Sequence, residues 1–287
     1  MTILSSTRHF VRQLDLATTA DIRKNFIDIE SDEIHSFRQF VESCFLNQFS
    51  PTNSEQYSKN VRYWNSEEGQ RDLDEHVIGR LTRDRLEYIP WIDSVVGLNG
   101  CPILEIGCGT GTSAIALGEQ GADVVAIDPV DIAITISRRR SELYGLRDVS
   151  FLQMNATDIE QKFRYHQFRL IIFFASLEHM THGERRASLR AAWRLLAPGA
   201  YLAVVEAPNR LWFFDDHTSS MPFFHWLPDD LAREYLALHA PGVPFDDGDD
   251  EAARLDFMRL GRGVSYHDFE LALGPEVIAT VCSDRYT

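Results

Sequence analysis

The residues of this 287-residue chain best suited by type and spacing to chemistry are Ile103-Leu104-Glu105-Ile106-Gly107-Cys108-Gly109-Thr110-Gly111-Thr112. An apolar strand runs into glycines at alternate positions, with an acid two residues ahead of the first. Alternate glycines let the backbone turn tightly and approach a ligand with no Cβ in the way. The acid serves no packing purpose at the end of a hydrophobic strand, where an unpartnered carboxylate is costly. A second apolar run, Val124-Val125-Ala126-Ile127-Asp128, also ends in an acid. A glycine turn followed by a second-strand acid describes a nucleotide-type pocket at the carboxyl edge of a parallel sheet. A dinucleotide turn of the form Gly-x-Gly-x-x-Gly/Ala would need a small residue at position 112, where Thr112 stands. The third glycine instead comes early, at Gly111.

The pattern Glu-x-Gly-x-Gly-x-Gly resembles motif I of the class I S-adenosylmethionine-dependent methyltransferases. The resemblance implies that Glu105, Gly107, Cys108, Gly109 and Gly111 surround the methionine portion of S-adenosyl-L-methionine. It gives Asp128, with Pro129 beside it, the ribose hydroxyls. In Met154-Asn155-Ala156-Thr157-Asp158, relatives commonly carry Asp-Ala; Asn155 departs from that, yet its amide oxygen can accept the same adenine hydrogen bond. Asp158 is a rival contact or a helix cap. Ala175-Ser176-Leu177-Glu178-His179-Met180 resembles the fourth-strand motif of the small-molecule branch related to ubiquinone-biosynthesis methyltransferases, which implies that Ser176 and His179 lie beside the methyl donor.

Methyl transfer is an in-line displacement, and the protein's main task is to hold the nucleophile in line. A hydroxyl acceptor benefits from a base of near-neutral pKa, a role that suits His179. The alternative for His179 is a backbone hydrogen bond that shapes the pocket, and Glu178 reads as a structural or orienting group. The segment Asn209 to Trp226 mixes large aromatics with histidines, acids and an arginine. Trp212 is read as an acceptor contact, and Asp215, Asp216, His217 and His225 as acceptor contacts or an alternative base, with His217 the second base candidate after His179. Phe213, Phe223 and Trp226 are expected to pack as a satellite cluster on the sheet. His217 and His225 with adjacent acids have the makings of a metal pair but lack an evident third ligand, so no metal is assigned. Tyr57, Tyr63 and Trp64 either form an aromatic lid, with Tyr57 and Trp64 touching substrate, or pack between helices.

These residues need elements to position them. Ile34, Phe37, Phe40, Val41, Cys44 and Phe45 recur at helical spacing from Ser31, and Pro51 closes that helix. Residues 57–64 read as an aromatic connector. A second helix is predicted over about 67–88, with Leu73, Val77, Leu81 and Leu86 as its stripe. From Cys101 strands alternate with helices: strands at 101–106, 123–128, 149–154, 170–174 and 201–206, and helices after Thr112, at about 132–144 and at about 184–196. The last of these is expected to end at Pro198-Gly199, and a further helix runs from Pro228 to about His239. This alternation predicts an α/β fold, a doubly wound, mostly parallel Rossmann-like sheet, with an N-terminal helical cap. The cap is assigned to 1–97 and the methyltransferase core to 98–287, with a substrate-lid insertion at about 207–226. The run Asp246 to Glu251 reads as a solvated loop, since it lacks calcium-loop ligand alternation. Ser265 to Asp268 reads as a capping box opening a helix, and Val277 to Cys282 as a late strand. The family's usual antiparallel finish leaves open whether 263–272 is a strand.

Composition narrows the classes. A net charge of −15 argues against a nucleic-acid surface. Arg138-Arg139-Arg140 and Arg185-Arg186 read as solvated helix faces. No apolar run approaches the roughly 18 residues of a membrane helix, and the first twenty residues lack a signal-peptide core and read as a mobile arm. Cys44, Cys101, Cys108 and Cys282 show no paired spacing and read as reduced thiols of a cytoplasmic protein. The expectation is a monomeric or homodimeric enzyme of secondary metabolite biosynthesis acting on a small-molecule acceptor, without nucleic acid or membrane. Its acceptor would be an oxygen of a secondary metabolite, sugar or quinone-like compound. N-methylation and peptide or carboxylate methylation stand as alternatives, as do a nicotinamide-dependent oxidoreductase and a non-catalytic cofactor-binding protein.

Overall fold

The structure, a computed structural model, describes residues 2–7, 25–48, 54–239, 248, 250–275 and 279–283. Pro51 and, in the acidic run at 246–251, residues 246, 247 and 249 lie outside the described residues. The chain divides into two compact units, one comprising 10–155 and 168–170, the other 1–9, 156–167 and 171–287. In the second unit the N-terminal residues Thr2–Thr7 form a strand, β1, so this part of the arm is not free. The two β-branched threonines and Ile3 favour that conformation.

The first unit opens with α1 (Ser31–Leu46), α2 (Ser54–Trp64) and α3 (Glu67–Asp74). The aromatic connector is therefore a helix. Helical backbone then runs on through a π-helical turn at Glu75–Gly79, α4 (Arg80–Arg83), a second π turn at Asp84–Tyr88, and α5 (Ile89–Val96). Gly97, at φ 71°, ends it. Leu73, Val77 and Leu81 are buried as the stripe requires, but Leu86 is exposed, because the π turns rotate the later residues off that face. Phe37, Val41, Phe45, Trp64, Leu73 and Val77 form one core cluster with Ile136.

Strand β2 (Pro102–Ile106), α6 (Thr112–Gly118), β3 (Asp123–Asp128), α7 (Asp131–Leu143) and β4 (Val149–Gln153) follow in the same unit. β3 pairs in parallel with β2 on one side and β4 on the other, with Val125 opposite Leu104 and Ser150. β5 (Phe168–Phe174) begins in this unit and continues in the other.

The second unit contains α8 (His182–Leu195), β6 (Leu196–Val205), the short antiparallel pair β7 (Phe214–Asp215) and β8 (Met221–Pro222), α9 (Asp229–His239), α10 (Glu251–Arg259), α11 (Tyr266–Leu273) and β9 (Ala279–Ser283). β6 starts as soon as α8 ends and runs through Pro198-Gly199, five residues earlier than the alternation indicated. β1 lies between β6 and β9, parallel to both. The ambiguous stretch before β9 is the helix α11, opened by the Ser265–Asp268 capping box. An antiparallel finish is thus absent from the described residues. The architecture is an α/β fold with helices between the strands; among the described ladders all are parallel except the short β7–β8 pair.

Candidate functional site

The glycine turn leaves β2 between Glu105 and α6. Gly107 and Cys108 donate their N–H groups to Ile127 O at 2.8 and 3.0 Å, locking the turn against β3. Gly107, Gly109 and Gly111 all take positive φ, which only glycine adopts without strain. Their surroundings differ. A Cβ at Gly111 would meet Ser137 Cβ at 2.9 Å, so that glycine lets α7 pack close. A Cβ at Gly109 would meet nothing within 4 Å, so its backbone faces open space.

Two carboxylates frame that space. Asp128, at the end of β3, accepts Gly109 N–H at 3.0 Å through Oδ2 and Val130 N–H at 2.9 Å through Oδ1. Burial raises its pKa against the pull of those two bonds. Glu105 is fully buried; Oε1 accepts the Ser113 hydroxyl and Oε2 has no hydrogen-bond partner. Desolvation pushes its carboxyl up to about 8, the Ser113 bond opposes this, and the negative charges of Asp84 and Asp128 add to it. A buried orphan oxygen is satisfied by a hydrogen-bond donor or a positive charge. Pro129 and Asn155 are exposed, with Pro129 O accepting the Gln153 side chain at 3.2 Å.

Arg140 corrects the solvated-face expectation. It is fully buried and donates to Thr110 O at 2.9 Å, to Val77 O at 2.7 Å and to His76 O, with Phe37 under its guanidinium at 4.8 Å. One side chain therefore ties the glycine turn to the first π turn and to α1. His76 also approaches Thr110 Oγ1 at 3.4 Å, and burial drops its pKa to about 3. Trp64 is core: 7% exposed, stacked on Phe45 at 4.5 Å, with its indole N–H donated to Asn60 at 3.0 Å. Its ring is committed to helix packing. Tyr57 lies half-buried on α2.

In the second unit, β5 exits through Ala175, at φ 41°, into Ser176 and a 3₁₀ turn, Leu177–His179. Ala156 starts another 3₁₀ turn, and Ser176 is buried. Arg185, only 2% exposed and so no solvated-face residue either, holds the exit turn. It donates to Leu177 O at 3.0 Å and Gly263 O at 3.1 Å and pairs with Asp268 at 3.2 Å. His179 Nδ1 lies 2.8 Å from Arg259 O, which makes it the protonated nitrogen and leaves the lone pair on Nε2. His217 Nδ1 lies 3.0 Å from Thr218 Oγ1. That hydroxyl donates to Leu260 O and Gly261 O at 3.0 and 3.1 Å, so it accepts from His217 and leaves Nε2 basic.

The two imidazoles are 5.5 Å apart, and Gly261 lies against both. A Cβ there would stand 2.6 Å from His217 Cε1 and 3.1 Å from His179 Cε1. Burial lowers both histidine pKa values, so both are neutral near pH 7. Glu178 is fully buried, and neither carboxylate oxygen has a hydrogen-bond partner; desolvation pushes its pKa up to about 8.

The other predicted contacts divide. His225 is 1% exposed, with Nε2 3.2 Å from Asp215 Oδ1. Asp215 also accepts the backbone N–H of His217, Thr218 and Ser219, so His225 and Asp215 brace the base of the loop instead of facing outward. Hydrogen bonding and the His225 charge hold Asp215 well below the usual carboxylate range, against desolvation. Trp212, Asp216 and His217 are exposed. Phe213, Phe223 and Trp226 are 45–57% exposed and touch in a row, so the expected buried satellite cluster is absent; Phe224 takes the buried position, beside Ala232, Leu236 and Phe257. Gly261 and Arg259 escaped sequence reading, and Arg140 was misread as solvated. The signal for the first was Gly261-Arg262-Gly263, which places two glycines of positive φ directly after α10.

An α/β sheet whose glycine turn and second-strand acid frame an open backbone defines a nucleotide-type cofactor domain. Residues 103–199 match the family model described as a methyltransferase domain. The chain is 28% identical over 128 residues, 44% of its length, to the ubiquinone biosynthesis O-methyltransferase of Pseudomonas aeruginosa (strain UCBPP-PA14). It is 29% identical over 111 residues, 39% of its length, to that of Pseudomonas entomophila (strain L48). The matched segments are 53% and 46% of those relatives, so the chain spans about half the length of the curated relatives it matches. A SAM dependent methyltransferase from Aquifex aeolicus superposes on 52% of this chain and 77% of its own at 18% identity and a TM-score of 0.40. No helix among the described residues is long and apolar enough to cross a membrane.

Proposed function

We propose that this protein transfers a methyl group from S-adenosyl-L-methionine to an oxygen of a small organic acceptor. The observation that carries the reading is the pairing of an open glycine turn with Asp128 and the orphan oxygen of Glu105. When bound, the cofactor supplies an electrophilic methyl carbon on a sulfonium. Asp128 would accept from ribose hydroxyls with the lone pairs its two backbone donors leave, Pro129 would flank it, and Asn155 and Ala156 would meet the adenine. Glu105 would answer the positive charge of the methionine portion, with Gly107, Cys108, Gly109 and Gly111 lining the turn.

The acceptor's chemistry falls to the histidine pair. His179 Nε2 and His217 Nε2 are neutral, basic and accessible, which suits removal of a hydroxyl proton as methyl transfer proceeds. Trp212 and the exposed row Phe213–Phe223–Trp226 offer apolar faces for a ring-bearing acceptor, with Asp216 as a further contact. Residues 1–97 would act as the cap and 207–226 as the lid. The test is transfer of label from methyl-tritiated S-adenosylmethionine to phenolic, sugar-hydroxyl and amine acceptors. Labelled ethers from the hydroxyl compounds support the reading; label only on amines or carboxylates moves the reaction to N- or carboxyl methylation.

A further inference from the structure

Glu178, His179 and His217 bring one carboxylate and two imidazoles together, with their ligand-capable atoms within 4.8 Å of one another. We propose that these three side chains bind a divalent transition-metal ion of the zinc class. Glu178 Oε1 lies 3.9 Å from His179 Nε2. That is close to the spacing of about 3.4 Å between donors sharing a tetrahedral zinc ion at about 2.1 Å.

Three independent features point to a ligand here. Both oxygens of Glu178 are buried without hydrogen-bond partners, a state that costs free energy unless something positive or protic meets them. Each histidine already directs Nδ1 into its own framework, His179 to a backbone carbonyl and His217 to a hydroxyl that is itself held by two carbonyls. That outer support fixes the tautomer that presents Nε2, as around metal-bound imidazoles. Gly261 leaves no room for a Cβ beneath the two rings, so the backbone itself holds them side by side.

Two imidazoles and one carboxylate suit zinc and its neighbours better than magnesium or calcium, and three protein ligands leave a fourth position open for water or an acceptor oxygen. Binding draws on the same Nε2 lone pairs that would serve as base, so the loaded chain activates an acceptor oxygen by coordination instead. Metal binding itself does not depend on the methyl-transfer reading.

The full chain, stripped with a chelator, should be titrated with Co²⁺ by visible absorption and with Zn²⁺ by calorimetry. The expected result is one ion per chain, with Glu178→Gln and His217→Ala each weakening affinity at least tenfold. Absence of stoichiometric uptake, or equal affinity in both variants, overturns the site. If a variant fails to fold, the wild-type imidazole nitrogens decide: Zn²⁺ should shift Nε2 of two of the ten histidines. Shifts of none, or of histidines other than 179 and 217, contradict the proposal. S-adenosylhomocysteine binding is measured in parallel. Its failure with metal uptake intact counts against the methyl-transfer reading alone, and the converse counts against the metal site alone.

Discussion

His179 donates Nδ1–H to the carbonyl oxygen of Arg259, 80 residues further along the chain, at 2.8 Å. Arg259 returns the contact, donating to His179 O at 3.2 Å while pairing with Glu184 at 2.7 Å. The ring and the backbone of His179 are thereby both tied to Arg259, and the remaining ring nitrogen, Nε2, carries the lone pair 3.9 Å from Glu178 Oε1.

The first expectation concerns pH. Burial lowers the pKa of both His179 and His217 below 6.5, and a base must be neutral to act. As pH falls, kcat/KM of the metal-free enzyme should therefore hold through 6.5 and decline only at lower pH. A pH–rate profile with its acid limb at or above 6.5 would remove these histidines as the base.

Gly261→Ala should impair turnover without abolishing the fold. A Cβ at φ 98° meets His217 Cε1 at 2.6 Å and His179 Cε1 at 3.1 Å, so one ring or the backbone must move. The strain should cost about 1–3 kcal/mol in chemical denaturation. kcat should fall at least tenfold while S-adenosylhomocysteine affinity stays within about twofold, since a tenfold change corresponds to about 1.4 kcal/mol.

Arg140→Met should be among the most damaging single changes. It leaves the carbonyls of His76, Val77 and Thr110 without their donor, at about 1–3 kcal/mol for each buried group. Because Thr110 belongs to the glycine turn, cofactor affinity should fall together with stability. Denaturant unfolding and calorimetric titration would report the two losses separately.

Glu105 makes a prediction of the opposite sign. Its folded pKa, about 8, stands above the ordinary 4.5, so the native chain holds a proton that the unfolded chain releases. Ligand-free stability should fall as pH rises between about 4.5 and 8, and Glu178, also near 8, contributes in the same direction. Glu105→Gln should flatten part of that slope in thermal melts and stabilise the ligand-free protein at pH 8. The same change should weaken cofactor binding, because the neutral amide cannot answer a positive charge.

Sequence reading located what is local. Strand-to-turn composition located Glu105 in β2, the three glycines in the turn that follows and Asp128 at the end of β3, because alternation of apolar runs and glycines is a short-range signal. It missed what depends on remote packing. Arg140 and Arg185 look like members of basic helix faces, and only partner carbonyls far along the chain make them buried braces. Trp64 and His225 look like pocket residues by type, but each spends its polar nitrogen inside the fold. The π turns carry no composition signal, so the drift of Leu86 to the surface was illegible. The pairing of His179 with His217 required Gly261, signalled only by the Gly261-Arg262-Gly263 pattern, and Thr218, which does not stand out in the sequence.

The central claim is tested most directly by calorimetric titration of S-adenosylhomocysteine into the wild-type chain and Asp128→Ala, with a nicotinamide dinucleotide as comparison. One molecule bound per wild-type chain, at least tenfold weaker in Asp128→Ala and with no uptake of the dinucleotide, is the expected result. Binding of the dinucleotide without S-adenosylhomocysteine would contradict the account.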